Sequence, residues 1–230
     1  MVPSSSSLES SKMWLQNALQ KAQLNYTFSS EQQDRILQFF HLRTEWNQVH
    51  NLTGPKASLL KSTDLIDSVV VSLCMDSSTP LIDIGTGSGV PGLLVACLHP
   101  DHSIYLIEPS AKRCAFLKTA LFHLNLKNVH VHRTRWPCFD LSHLSTIQLI
   151  SRAVVAPEDW PLLAIRRPSI KGKAKNKKDV SQFPQVSHLM QMLAFNRPTW
   201  PLDEYQCSQE IHYFDPEGGE RCVRRWSLKS

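Results

Sequence analysis

Glycine is scarce in this chain: eight residues in 230, and four of them stand at positions 85, 87, 89 and 92. Long apolar runs are missing as well. No stretch approaches the ~20 residues that cross a bilayer as a helix, so no membrane association is expected. Residues 1–11 are serine-rich without an apolar segment, unlike a secretory signal, and read as a short disordered tail. The six cysteines include no C-x-x-C pair, and the ten histidines lack ligand spacing. A disulfide framework or a metal centre is therefore not expected. Cys74, Cys97 and Cys114 fall on apolar faces of predicted helices, where free cysteine packs as a small hydrophobe. His130 and His132 alternate along one face of a predicted strand. These absences together point to a cytoplasmic protein without a metal.

What is present is ordinary for a globular chain, with 42% hydrophobic and 20% charged residues. The length allows one full core with a small appended element. The net charge of +5 is unevenly placed. Residues 151–230 hold 13 Lys/Arg against 9 Asp/Glu, while residues 1–150 are nearly balanced. A basic C-terminal third hints at a polyanionic partner.

Helical periodicity dominates the first third. Lys12 to Gln23 places Trp14, Leu15, Ala18, Leu19 and Ala22 at helical spacing. Ser30-Glu31-Gln32-Gln33 reads as a capping box opening a second helix, with Ile36, Leu37, Phe40 and Trp46 on its apolar face. Lys61 to Met75 reads as a third. The rhythm then changes to strand and helix alternation: strands at 81–84, 103–107, 129–132 and 147–150, with helices at 91–99 and from a Ser110 cap onward. This βαβαβ order predicts an α/β fold on a parallel sheet, with the ligand at the carboxyl ends of the strands. Asp159 to Arg166 suits a short helix. Strands are expected at 190–195, 206–214 and 221–228, the last two joined around Gly218-Gly219. The run at 171–178 carries five lysines and reads as a solvated loop. Three units follow: the tail at 1–11, a helical cap over 12–76, and the sheet domain over 77–230 with the lysine-rich loop near 169–180.

Leu81-Ile82-Asp83-Ile84-Gly85-Thr86-Gly87-Ser88-Gly89-Val90-Pro91-Gly92 joins the first strand to a helix. Such a glycine loop lets backbone approach a ligand, and the helix N-terminus favours an anion. Two ligand classes fit. Gly87-x-Gly89-x-x-Gly92 matches the dinucleotide fingerprint, with Glu108 at a suitable distance. Asp83-x-Gly85-x-Gly87 matches the pattern of S-adenosylmethionine methyltransferases. The loop alone indicates a ligand containing adenosine.

Further segments resemble one family, the bacterial small-subunit ribosomal RNA guanine-N7 methyltransferases, known as RsmG or GidB. They are Trp46-Asn47-x-x-His50-Asn51-Leu52-Thr53, Leu65-Ile66-Asp67-Ser68, the loop from Asp83 to Gly92 with Pro91-Gly92, Lys112-Arg113-x-x-Phe116-Leu117, Leu126-x-Asn128-Val129, Arg135, and Ser151-Arg152-Ala153, in that order. The similarity runs from about residue 12 to 155 and resumes more weakly at Glu204-Tyr205-Gln206 and Gly219-Glu220-Arg221. Three positions depart from the pattern. Asp64 stands where the family has histidine, Pro137 where it has glutamate, and Asn196 where it has lysine.

The resemblance implies a Rossmann-like class I methyltransferase sheet under an N-terminal helical cap. It implies methyl transfer from S-adenosylmethionine to N7 of a guanine in 16S ribosomal RNA (guanine 527 in the family). The partner is then 16S rRNA or the small ribosomal subunit; the sequence sets no oligomeric state, and a monomer is the default. By the same resemblance Asp83, Gly85, Gly87, Val90, Glu108, Trp136, Pro137 and Arg152 hold the cofactor, with Glu108 on the ribose and Trp136 and Pro137 beside the adenine. Arg135 and Arg152 are the candidates for positioning substrate, and with Lys112 and Arg113 for contacting RNA. Both arginines follow strands, and arginine pairs bidentately with phosphate or stacks on a base. Lys112 and Arg113 oppose the macrodipole of their helix, which suggests an external anion. Asn51 and Asp67 are read as polar links between cap and sheet domain. Three other readings stay open: a non-catalytic relative that binds S-adenosylmethionine or RNA, a methyltransferase acting on a small molecule, and an NAD-binding oxidoreductase, for which no hydride-transfer partner is visible.

Overall fold

Apolar residues on alternate sides of short strands build a sheet with two covered faces. The computed structural model describes residues 5–52, 62–138, 140–152, 154, 159–165, 184–194 and 203–229. Its strands are β1 (Leu81–Ile84), β2 (Ile104–Ile107), β3 (Val129–His132), β4 (Thr146–Ile150), β5 (Gln185–Ala194), β6 (Tyr205–Phe214) and β7 (Glu220–Leu228). They form one sheet in the order β3-β2-β1-β4-β5-β7-β6. Neighbours from β3 to β5 pair in parallel, and β7 runs antiparallel to both β5 and β6. Leu81, Ile104 and Leu106 pack in one core, whereas Ile82, Tyr105 and Ile107 pack in the other. This is the period-two alternation of a strand, applied to a sheet buried on both sides.

The first core takes nearly all the helices. These are α1 (Ser5–Lys21), α2 (Ser30–His50), α3 (Ser62–Cys74), α4 (Gly92–Leu98) and α5 (Ala111–His123). Leu15 and Leu19 of α1, Phe39 and Phe40 of α2 and Val69 to Val71 of α3 join Leu93 to Leu98 and Phe116 in one cluster. The N-terminal helices therefore share the core of the sheet. The second core is smaller and is closed by α6 (Trp160–Ala164) with Trp136 and Leu141. No described helix is long and apolar enough to cross a membrane.

Several elements differ in extent from the expectation. Helix α1 opens at Ser5, inside the stretch read as a tail. Helix α2 is capped one residue earlier than predicted, at Ser29. Its Oγ accepts from Gln32 N at 3.2 Å, and Gln32 Oε1 accepts from Ser29 N at 2.9 Å. The doublets Ser29-Ser30 and Gln32-Gln33 allow both registers, and a tertiary bond, Gln32 Nε2 to Leu98 O at 2.8 Å, favours this one. Strand β5 begins at Gln185 rather than Met190, because Val186 and Leu189 pack in the core between polar neighbours. The Ser110 cap of α5 and the Gly218-Gly219 turn between β6 and β7 form as expected. Cys74, Cys97 and Cys114 are free and buried. The lysine run at 171–178 and Asn196 lie outside the described residues.

Candidate active site

The turn after β1 is closed by hydrogen bonds to β2. Gly85 N and Thr86 N donate to Ile107 O at 2.8 and 3.2 Å, and Gly89 N and Val90 N donate back to Thr86 O. Gly85, Gly87 and Gly89 all have positive φ, which L side chains resist. A Cβ at Gly87 would meet only Gly85 O, at 3.9 Å, so the space beside it is open. Gly92 serves packing instead: a Cβ there would lie 2.6 Å from Leu106 Cδ2 and 2.7 Å from Asp83 Oδ2.

Beside this turn, at the carboxyl ends of β1, β2 and β4, lies a cavity of about 620 Å³. Its size is that of a small-molecule site. It brings together Gly85, Gly87, Val90, Glu108, Arg113, Arg135, Trp136 and Arg152, which come from separated parts of the sequence. Glu108 is 2% exposed. Its Oε2 accepts from Gly87 N at 3.0 Å and its Oε1 from Ser110 N at 2.8 Å. One acid thus ties the glycine turn to the end of β2 while facing the cavity. Trp136 Nε1 donates to Leu163 O at 3.0 Å, which fixes the indole in the wall. Arg135 is exposed at the rim.

Three residues expected at the site do not line the cavity. Asp83 is fully buried beneath the turn, and its Oδ2 accepts from Gly92 N at 2.8 Å. Burial pushes its carboxyl up to about 6. It secures the start of α4 from below. Pro137 is buried next to Trp136 but outside the lining. Lys112 donates to His50 O and, at 3.2 Å, to Asn51 O. The cation that opposes its own helix dipole therefore meets the carbonyl end of α2, where positive charge is favoured. Asn51 closes α2 in the left-handed conformation, so cap and α5 meet there.

The opposite wall is made of charge, and most of it was not visible in the sequence. Arg43 of α2, 3% exposed, donates from Nη1 to Asp64 Oδ2 at 2.6 Å. Arg152 Nη1 donates to Asp64 Oδ1 at 2.6 Å and reaches Asp67 Oδ2 at 3.4 Å. Asp67 also accepts from Arg221 Nη2 at 3.1 Å and from the Tyr213 hydroxyl at 2.6 Å. Burial would raise the Asp64 carboxyl, but Arg152 and Arg43 hold it below its ordinary value. For the more deeply buried Asp67, burial outweighs Arg221 and Arg152, and its carboxyl is raised. Asp67 links cap and sheet as expected. Arg43 and Asp64 line the cavity and were not assigned to it. Arg43 follows Ile36 and Phe40 at i, i+4, i+7 on the buried stripe of α2. An arginine at a core position of an amphipathic helix was the available signal.

Comparison with known proteins agrees with this arrangement. The family described as rRNA small subunit methyltransferase G (GidB) matches residues 32–179. The ribosomal RNA small subunit methyltransferase G of Wolinella succinogenes is 38% identical over 143 residues, 62% of this chain and 72% of that protein. The protein of the same name from Psychromonas ingrahamii is 34% identical over 148 residues, 63% of this chain and 69% of its own. Among solved structures, human methyltransferase 10 domain containing protein aligns with a TM-score of 0.51 at 14% identity, covering 86% of this chain and 98% of that one. A putative tRNA (m1A22) methyltransferase from Streptococcus pneumoniae aligns at 0.50 and 11%, covering 70% and 69%. Those two likenesses concern the Rossmann-like fold alone. The family match spans the glycine turn, Glu108 and Arg152 alike, and this chain belongs to the rRNA small subunit methyltransferase G family.

Proposed function

We propose that this protein transfers a methyl group from S-adenosylmethionine to N7 of a guanine in 16S ribosomal RNA. The observation that carries the reading is the open cavity beside Gly87, with the glycine turn on one side and Glu108 and Trp136 on the others. Such a cavity suits an adenosyl ligand. Turn backbone gives close approach without a Cβ, a carboxylate suits ribose hydroxyls, and an indole offers an apolar face to adenine. Family membership and the basic C-terminal third support an RNA substrate.

The chemistry asks little of the side chains. Guanine N7 is an acceptor with a free lone pair, so it attacks without first losing a proton. S-adenosylmethionine, when bound, supplies an electrophilic methyl on a sulfonium that departs as a neutral thioether. The protein's task is then to hold acceptor and methyl in line, a contribution of up to ~7–11 kcal/mol in favourable cases. Gly85 to Val90 and Glu108 fix one partner. Arg135 at the rim and Arg152 in the opposite wall are placed for the other, through phosphate pairing or stacking on the base. Arg113 extends the basic rim. The partner is 16S rRNA or the small subunit, met in the cytoplasm.

The test is transfer of labelled methyl to 16S rRNA isolated from cells that lack the gene, followed by mapping of N7-methylguanosine by chemical cleavage. The expected result is one labelled guanine. Incorporation at no guanine N7, with the donor bound, overturns the reading.

A further inference from the structure

Asp64 stands where two arginines of the cavity wall converge, Arg43 of α2 and Arg152 beyond the end of β4. Its two oxygens are divided between two guanidiniums: Oδ2 takes Arg43 and Oδ1 takes Arg152, each at 2.6 Å. Asp64 and Arg43 are each 3% exposed at the side chain, and Arg152 is 25% exposed. Among the described residues, the ion pairs of Arg152, to Asp64 and to Asp67, run through the same nitrogen, Nη1. Arg152 also lines the cavity. Guanidinium is rigid, so fixing one nitrogen sets the direction of the other donors.

We infer that Asp64 is a positioning residue: it fixes Arg152 so that the free edge of the guanidinium meets an oxyanion of the bound substrates, either the carboxylate of the methyl donor or a phosphate of the RNA. The inference rests on the methyltransferase reading above. Arg43 completes the device from the cap side, because it neutralises the second oxygen and ties α2 to the same carboxylate. Asp64 is ionised throughout the neutral range, as its two partners require.

The experiment is a double-mutant cycle between Asp64→Asn and Arg152→Lys. Binding of S-adenosylmethionine is read by calorimetry and binding of 16S rRNA by equilibrium titration, without turnover; KM and kcat for each substrate follow where the enzyme turns over. Arg152→Lys is expected to weaken one of the two substrates by about ten- to hundredfold, as a displaced positioning contact does. Asp64→Asn is expected to weaken the same substrate through KM more than kcat, and the double variant to be no weaker than Arg152→Lys alone. Loss confined to S-adenosylmethionine identifies the carboxylate; loss confined to RNA, with a shallower salt dependence, identifies the phosphate. Asp64→Glu keeps the charge, displaces it by one methylene, and gives the same result if Asp64→Asn does not fold. Losses that multiply in the double variant, or unchanged binding in the folded Asp64→Glu protein, overturn the inference. If the wild type binds both substrates but methylates nothing, the proposed activity fails while the binding cycle still decides the role of Asp64.

Discussion

The glycine turn builds its wall of the cavity from backbone, whereas the cap side builds its wall from paired charges. The turn spans positions close in sequence, and its bonds are main-chain N–H groups meeting Ile107 O, Thr86 O and Glu108 Oε2. The charged wall joins Arg43 to Asp64 across 21 positions and Asp64 to Arg152 across 88. The first wall leaves room for a ligand beside Gly87. The second takes Arg43, Asp64 and Asp67 out of water and leaves Arg152 and Arg221 about a quarter exposed, a costly arrangement unless every buried member is satisfied. A shape-giving wall and an orienting wall face each other, and changes on the two sides should fail differently.

The largest effect is expected on the charged side. Asp67→Ala removes an acceptor shared by Arg152, Arg221 and Tyr213, and breaking such a buried cluster costs about 3–5 kcal/mol. Denaturant melts should show that loss of stability; a change within about 0.5 kcal/mol would mean that the cluster is decorative. Gly87→Arg should do the opposite. Its side chain enters open space beside the turn, so the fold survives apart from strain at positive φ. Donor binding is expected to fall by at least about a hundredfold, equivalent to roughly 2.7 kcal/mol. Calorimetry on the folded variant measures this, and normal binding would remove the turn from the site.

Asp83 sharpens the contrast, since it is a carboxylate serving the backbone wall. Its folded value of about 6 lies above the ordinary 3.8. The folded state therefore holds the proton more tightly than the unfolded chain. Stability from this group is present below about pH 4 and is lost as pH rises through 6, by an amount on the order of 3 kcal/mol. Asp83→Asn keeps an acceptor for Gly92 N and removes that dependence. Melts at pH 5 and pH 7.5 should show the variant gaining on the wild type at the higher pH. Donor affinity should stay within a few-fold, because Asp83 lies under the turn and outside the cavity lining. A large loss of affinity would instead make Asp83 a ligand contact.

The same contrast explains what the sequence revealed. Local signals were sufficient for β1 and β3, whose bounds match the expectation, for the Ser110 cap and for the Gly218-Gly219 turn. Residues of the glycine turn and Glu108 were readable because strand-end loops have few ways to bind a ligand. The pairing of Arg43 with Asp64 was not readable, since each residue alone suits an exposed helix face and only the packing of α2 and α3 against α4 brings them together in one buried core. The first turns of α1 and the start of β5 were missed for a related reason. Polar residues there follow no strong period, and tertiary contacts set the boundary.

The smallest effect tests that boundary at one residue. The capping box of α2 is built on Ser29 and Gln32, with Gln32 also bonded to Leu98 O of α4. Ser29→Ala should cost about 1 kcal/mol, the usual value of a side-chain N-cap. Ser30→Ala, one position into the helix, should stay within about 0.5 kcal/mol. Neither residue touches the cavity, so methyl transfer at saturating substrate should be unchanged in both. Equal losses in the two variants would show the helix sampling both registers, and the bond from Gln32 to α4 would then be too weak to choose between them. A larger loss in Ser30→Ala would put the cap where the sequence pattern first placed it.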